Sequence, residues 1–151
     1  MFPALRVDQS SISKLENNLL RVYGILVERS KGALYASAND IMRESRLECP
    51  RDTSTLVNSA YVSIPEVKGD DIYLHMGYAS PETDRVNPFS YYPASFYAVD
   101  VHENVLYYHP HGKHHFLRDP VLLYSEAYVT KLRDALREVL GGWYERFVGY
   151  N

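Results

Sequence analysis

Cysteine is nearly absent from this sequence, which has only Cys49 among its 151 residues. A single cysteine cannot form a disulfide within the chain, which is compatible with a reducing compartment. The sequence contains no run of about 18 apolar residues, and residues 1–10 lack the apolar core of a signal peptide. These absences predict a soluble protein without a membrane partner, made and kept in a cytoplasm.

Positive charge is also scarce. The 16 Lys and Arg residues are outnumbered by 19 Asp and Glu residues, which gives a formal net charge of −3 at pH 7. Lys and Arg form no run anywhere in the chain. Because dedicated nucleic-acid-binding proteins carry a basic footprint, this composition argues against that class.

The usual motifs of enzymes are missing as well. No serine, cysteine or lysine stands in a recognisable nucleophile elbow, although a nucleophile needs a base within reach and a third group to orient that base. There is no glycine-rich phosphate loop, because Gly141 and Gly142 follow a helical pattern rather than precede one. We therefore expect no catalytic residue and no cofactor.

Tyrosine, in contrast, is abundant, with 14 residues. Its large apolar ring with a polar tip suits partly wet protein–protein surfaces, although packing in a β-rich core would explain the excess equally well. A chain of this length is expected to form a single domain, residues 1–151, around one core.

The first predicted element is a long amphipathic helix over residues 11–47. Apolar residues recur there at three- and four-residue steps, beginning with Ile12 and Leu15. Glycine predicts a bend or break near residues 30–32. Pro50 disfavours helical geometry at the residue before it and so predicts where the helix ends.

A turn and a hairpin follow the first helix. Residues 50–59 are predicted to form a capped turn, in which Asp52 or Thr53 is the N-cap and Leu56 faces the core. Residues 60–79 hold two runs of alternating apolar and polar residues joined by a glycine-containing turn. This pattern predicts an antiparallel β-hairpin with one buried face.

The middle of the chain has the weakest pattern. Residues 80–93 contain three prolines and no periodicity, which predicts an extended loop that contacts a partner or is simply a floppy excursion. Tyr97, Val99 and Val101 alternate with other residues over 95–103. This alternation favours a third strand over a short helical turn.

The C-terminal part is predicted to be a histidine-rich loop, residues 104–118, followed by a second long helix, residues 120–140. Asp119 is the expected cap, proline occupies the first helical position, and the Gly141-Gly142 pair is the expected stop. Residues 142–151 form an aromatic tail, which we expect to pack on its own domain or on another chain.

These elements predict an α+β fold. A small antiparallel β-sheet packs against a long N-terminal helix and a long C-terminal helix. The sequence shows no internal repeat and no low-complexity tract that would suggest another architecture.

The histidine-rich loop supports one alternative function, a small metal-dependent hydrolase or nuclease. A loop turned by proline and glycine could aim several imidazoles of residues 102–115 at one metal ion. Standard zinc spacings are absent, so a loop whose histidines face solvent, nucleic acid or a neighbouring subunit is the simpler interpretation. The alternative would use His102, Glu103, His109, His111 and His114.

Three segments of the sequence resemble a known family. They are PRDTSTLVNS at residues 50–59, YAVDVHEN at residues 97–104 and HPHGKHHFLRDP at residues 109–120. Their order and spacing resemble Pro-x-Asp-Thr-Gly-x-Leu-x-x-Ser, Tyr-Ala-x-x-Val-His-Glu and Gly-x-x-x-(Phe/Tyr)-Leu in the neck, tail-completion or minor head (head–tail joining) proteins of tailed bacteriophages. Ser54 departs from the pattern, which has glycine there. The matching positions are Pro50, Asp52, Thr53, Leu56, Ser59, Tyr97, Ala98, His102, Glu103, Gly112, Phe116 and Leu117.

The resemblance implies assembly rather than catalysis. Such proteins form homo-oligomeric rings at the head–tail junction of the virion, after assembly in the host cytoplasm. Their partners would be other copies of the chain, connector, head-closure, tail-terminator or tail-tube proteins, and double-stranded DNA that passes without specific binding. We expect no metal site, and we expect contacts with these partners from Phe89, Tyr91, Tyr92, His109, His111, His114, Trp143 and Phe147.

Overall fold

A computed structural model describes residues 8–89, 91–106 and 108–148, with side chains described as far as residue 142. It has four helices and four short strands within those residues, so the predicted α+β class is confirmed. The elements are α1 (Gln9–Glu48), α2 (Thr55–Asn58), β1 (Ala60–Val62), β2 (Glu66–Lys68), β3 (Asp71–Tyr73), β4 (Met76–Tyr78), α3 (Ala94–Glu103) and α4 (Arg118–Val148).

Helix α1 is one continuous helix of 40 residues, so the break predicted near residues 30–32 is wrong. A glycine inside a helix costs only about 1 kcal/mol, and packing against another helix outweighs this cost. The helix begins where the carbonyl of Asp8 accepts hydrogen bonds from the amides of Ser11 and Ile12, at 3.0 and 3.3 Å. It ends at Glu48, because Cys49 precedes proline and is extended, with ψ of 132°.

The predicted hairpin lies where the sequence placed it, but it is interrupted. Strand β1 pairs antiparallel with β4, and β2 pairs antiparallel with β3, so that the hairpin forms two short ladders. Gly69 takes the positive φ of 64° that the tight turn between β2 and β3 requires. The ladder nearer α1 holds Tyr78 against the core, whereas the β2–β3 tip is largely exposed.

The predicted strand at residues 95–103 is wrong, because this segment is helix α3. Ala94, Tyr97, Ala98 and Val101 all pack on the core. Their spacing of three and four residues is helical, and it outweighs the alternation seen over a shorter stretch. The carboxylate of Asp84 accepts a 3.0 Å hydrogen bond from the amide of Ser95, one of the unpaired donors of the first turn.

Helix α4 is longer than the predicted 120–140. It begins at Arg118, so Asp119 lies in its first turn rather than at the cap, and it continues through Gly141 and Gly142 to Val148. The glycine stop was wrong because a helix ends at glycine only where the chain turns into a left-handed conformation. Residues 142–148 of the predicted tail are therefore helical, and residues 149–151 lie outside the described residues.

The two long helices pack side by side and run antiparallel. Lys131 of α4 forms an ion pair with Asp40 of α1 near the middle of the pair. At one end, Lys113, just before α4, contacts the Glu48 carboxylate at 3.1 Å. The hairpin, α2 and α3 pack around this end, which places the core cluster at one extremity of the helix pair.

The chain exposes an unusually large surface for its mass. Its accessible area is 11229 Å². A compact monomer of 17.4 kDa exposes about 7,900 Å². The difference, about 3,300 Å², indicates a chain that buries less of its surface than a compact monomer of this mass.

Candidate functional site

The three segments that carry the family resemblance meet at one place. Leu56 from the first segment and Phe116 from the third are buried together with Cys49 and Ala94. Residues Tyr97 and Ala98 of the second segment pack on this cluster from α3. Three segments spread over residues 50–120 therefore build one core, which we call the junction.

Gly112 fixes the third segment to the end of α1. It has φ of 87°, and a Cβ atom built on it would lie 2.5 Å from the backbone nitrogen of Pro50. The next amide, that of Lys113, donates a 2.8 Å hydrogen bond to the carbonyl of Glu48. Only glycine allows this approach, because it combines a left-handed conformation with the absence of a side chain.

His102 links α3 to the start of α4. Its Nε2 atom accepts a 3.3 Å hydrogen bond from the amide of Arg118, so the ring proton lies on Nδ1 and is donated to Glu103 Oε1 at 2.7 Å. This hydrogen bond holds the pKa of Glu103 below its usual value, with smaller contributions from His115 and Arg118. The His102 ring also packs edge-on against Phe116, with centroids 4.9 Å apart. Both nitrogens of His102 are thus used in structural contacts.

The histidines that the alternative hydrolase hypothesis would use lie in different places. Within residues 8–89, 91–106 and 108–148, no three His, Cys, Asp or Glu side chains are placed to hold one metal ion. His102 approaches Glu103 and His115, whereas His109 and His111 line separate surface depressions. The ring of His114 meets the ring of His115 edge-on, with centroids 5.3 Å apart.

The first segment forms a tight turn without the predicted side-chain cap. Ser54, not Asp52 or Thr53, immediately precedes α2, and it makes no capping hydrogen bond. Ser54 adopts the left-handed conformation with φ of 61°, which explains why a glycine suits this position. The buried Ser59 side chain closes the turn by donating a 2.7 Å hydrogen bond to the carbonyl of Leu56.

A cleft of about 350 Å³ lies beside this turn. Its walls include Asp52 and Thr53 on one side, Tyr97 of α3 on another and His109 at the edge. Burial raises the pKa of the Tyr97 hydroxyl, and the neighbouring Asn87 side chain offsets part of that effect. The cleft brings together residues from all three segments.

The loop at residues 80–93 is held at its base by several hydrogen bonds. The amides of Asn87 and Tyr91 bond to the carbonyls of Tyr92 and Asn87, at 2.8 and 2.9 Å. Val86 forms an antiparallel bridge with Pro93, so the chain doubles back between these two residues before α3 begins. The predicted excursion is thus an anchored loop, which fits presentation of its tip to a partner.

Aromatic side chains project from this loop. Phe89 and Tyr91 are exposed, and Tyr91 has a positive φ of 61°, a strained conformation for a bulky residue. Tyr92 stacks on Phe96 of α3, with ring centroids 4.8 Å apart. Phe96 and Val99 extend the exposed surface, and the sequence missed them because the segment was assigned as a strand.

Both long helices also expose apolar side chains. The N-terminal part of α1 exposes Ile12, Leu15 and Leu19, and α4 exposes Leu122 and Val129. Trp143 and Phe147, expected to contact partners, belong to α4, but their side chains lie outside the described residues. No helix in the described part of the chain is long and apolar enough to cross a membrane.

Comparison with known proteins gives no further assignment. No protein-family model, curated protein or solved structure matches this chain significantly.

Proposed function

We propose that this protein is a structural virion protein of the phage head–tail junction. It assembles as a ring of identical copies around the DNA channel and connects head to tail. Its role is to make contacts with other copies and with neighbouring proteins of the phage head–tail connection, and it carries out no reaction. The observation that carries this proposal is the meeting of the three family-like segments in one core.

The local geometry of two positions supports this proposal. The family pattern has glycine at position 54, and Ser54 adopts the left-handed conformation that glycine takes most easily. The pattern also has glycine at position 112, where a Cβ atom would collide with the end of α1. At both positions the backbone has a positive φ, which gives a physical reason for the glycine of the family pattern.

The distribution of apolar residues supports assembly. The cluster at the junction is small, and both long helices and the anchored loop expose large apolar side chains. Exposed apolar patches of this extent mark contact surfaces in soluble proteins. A ring of copies would cover such surfaces, since subunits in rings bury different patches against each neighbour.

The charge balance suits a channel through which DNA passes. Each phosphate that a protein neutralises adds salt-dependent affinity, so a strongly basic channel would hold DNA in place. A net charge of −3 opposes such retention. We therefore expect the purified protein not to retard duplex DNA in a gel at physiological salt.

Electron microscopy tests the proposal directly. Negative-stain images of the purified protein are expected to show closed rings with a central opening wide enough for duplex DNA. Antibodies against the protein are expected to label the junction between head and tail in phage particles. Labelling of tail fibres or capsid faces alone, or an absence of label from particles, would reject the proposed role.

A further inference from the structure

Helix α1 extends well past the end of α4. The two helices run antiparallel, and Lys131 contacts Asp40. Because α-helices rise about 1.5 Å per residue, Val148 at the end of α4 stands level with about Tyr23 of α1. Residues 9–22 of α1 therefore project about 21 Å beyond α4. We call this part of α1 the overhang.

The overhang carries an apolar stripe that the described part of the chain leaves uncovered. Ile12, Leu15 and Leu19 are 44%, 56% and 52% exposed. They are spaced as in a heptad, and Val22 and Leu26 continue the same row into the half-buried region where α1 meets α4. The row that α4 covers farther along α1 thus continues onto a part of α1 that α4 does not reach.

Helix α4 has an exposed apolar row of its own, beside its half-buried face. Leu122, Val129 and Leu140 are 67%, 52% and 48% exposed. Val129 lies seven residues after Leu122, so the two residues share one side of the helix. This outer row lies about a quarter-turn around the helix from the half-buried positions Tyr128, Leu132 and Val139.

We propose that the α1 overhang of one copy packs against the outer row of α4 in a second copy. The inference rests on the proposed ring, because a ring requires two different patches on each subunit, whereas one self-complementary patch closes a dimer. The overhang and the outer row are two such patches, and both are helical and apolar. In a ring each subunit loses the area of one interface in all, and the surface in excess of a compact monomer, about 3,300 Å², falls within the range of about 2,000–5,000 Å² that obligate contacts bury.

The packing would follow the rules of a helix pair. The overhang presents residues at alternating steps of three and four, which suits knobs-into-holes contact with another helix. Within one chain, α4 covers the part of α1 onto which the stripe of the overhang continues. A second copy that covers the overhang would therefore lengthen the helix packing along α1 by several turns. Each copy would give an overhang to one neighbour and accept an overhang from the other.

Two single substitutions test this arrangement. Leu15→Lys places a charge in the overhang and Val129→Lys places one in the outer row, while both residues are exposed enough for the fold to tolerate lysine. Each variant alone is expected to weaken self-association about tenfold or more, measured by native mass spectrometry over a range of protein concentrations. Helical circular dichroism should stay at the wild-type value. The matched control is Leu106→Lys, an exposed loop leucine outside both rows, which should assemble as wild type.

Mixing the two variants gives the sharpest result. The Val129→Lys chain keeps an intact overhang and the Leu15→Lys chain keeps an intact outer row, so an isotope-labelled mixture should form one-to-one pairs and nothing larger. Pairs of two Val129→Lys chains would show an overhang-to-overhang contact and overturn the inference. Wild-type assembly by either single variant would overturn it too and leave the proposed ring standing. A wild-type protein that remains monomeric would reject both the inference and the proposed function.

Discussion

Gly112 lies so close to Pro50 that a Cβ atom at position 112 would stand 2.5 Å from the proline nitrogen. This contact joins the end of α1 to the loop that leads into α4. Pro50 and Gly112 belong to two different family-like segments, so the contact holds those two segments against each other.

Replacing Gly112 by alanine should therefore be costly. We expect Gly112→Ala to lower the free energy of unfolding by about 2–3 kcal/mol, because strain from φ of 87° adds to the collision with backbone atoms. Urea denaturation measures the change. Gly69→Ala is the control, since Gly69 also has a positive φ but has open space around it, and its loss should be about 1 kcal/mol. Equal losses for both variants would show that the contact with Pro50 contributes nothing.

Phe116 should be the most sensitive side chain of the junction. It is 1% exposed and meets the ring of Tyr78 edge-on, with centroids 5.1 Å apart. Phe116→Ala is expected to lower the free energy of unfolding by about 3–5 kcal/mol, through lost burial and a cavity.

Phe96→Ala is the control that isolates the effect of side-chain burial on stability. Phe96 is 70% exposed, so Phe96→Ala should change the free energy of unfolding of the isolated chain by less than about 1 kcal/mol. Chemical denaturation of both variants at low protein concentration measures the difference. A small loss for Phe116→Ala would mean that the junction is not the core of the fold.

Ser54 tests the agreement between the family pattern and the backbone. Since Ser54 has φ of 61°, Ser54→Gly should leave the free energy of unfolding unchanged or raise it by up to about 1 kcal/mol. Ser54→Val should lower it by about 1–2 kcal/mol, because a β-branched residue fits this conformation poorly. Thermal denaturation ranks the variants, and a loss with glycine would argue against the left-handed turn.

Two buried acids predict how stability depends on pH. Burial raises the pKa of the Cys49 thiol to about 12, and burial also raises the pKa of the Tyr78 hydroxyl. Both groups are neutral in the folded protein, so their contribution is fully present below the pKa values of the unfolded chain, about 8.5 and 10. It is lost as pH rises above those values, at about 1.4 kcal/mol per pH unit for each group.

Denaturation between pH 7 and pH 11 checks this expectation. The free energy of unfolding should be nearly flat up to about pH 8 and should fall beyond about pH 9. Cys49→Ala should remove the part of the slope that begins near pH 9 and leave the later part due to Tyr78. A wild-type profile that stays flat to pH 11 would show that these groups are accessible to water in the folded state.

The two long helices and the hairpin were predictable from residue spacing, but helix α3 was not. Over residues 95–103 the alternation of Tyr97, Val99 and Val101 fits a strand, and the helical set that includes Ala94 is visible only when the segment is read from one residue earlier. The choice depended on tertiary contacts, namely the core against Ala94 and the carboxylate of Asp84 at the first turn. Local sequence does not contain either contact.

The candidate site was predicted in part. The family-like segments named Leu56 and Phe116 of the junction but not Cys49 or Ala94, and the sequence could not show that these residues lie in one cluster. The end of α4 was missed because Gly141 and Gly142 have open space around them and no reason to stop the helix. The overhang follows from the lengths of both helices and from their pairing, so it becomes visible only in the structure.

Native mass spectrometry of the wild-type protein, with and without a chelator, tests the central claim most directly. One spectrum reports both the number of copies in the assembly and any bound metal. The proposed role predicts an assembly of several copies whose mass does not change with the chelator. A monomer at every concentration, or a stoichiometric metal that leaves with the chelator, would contradict it.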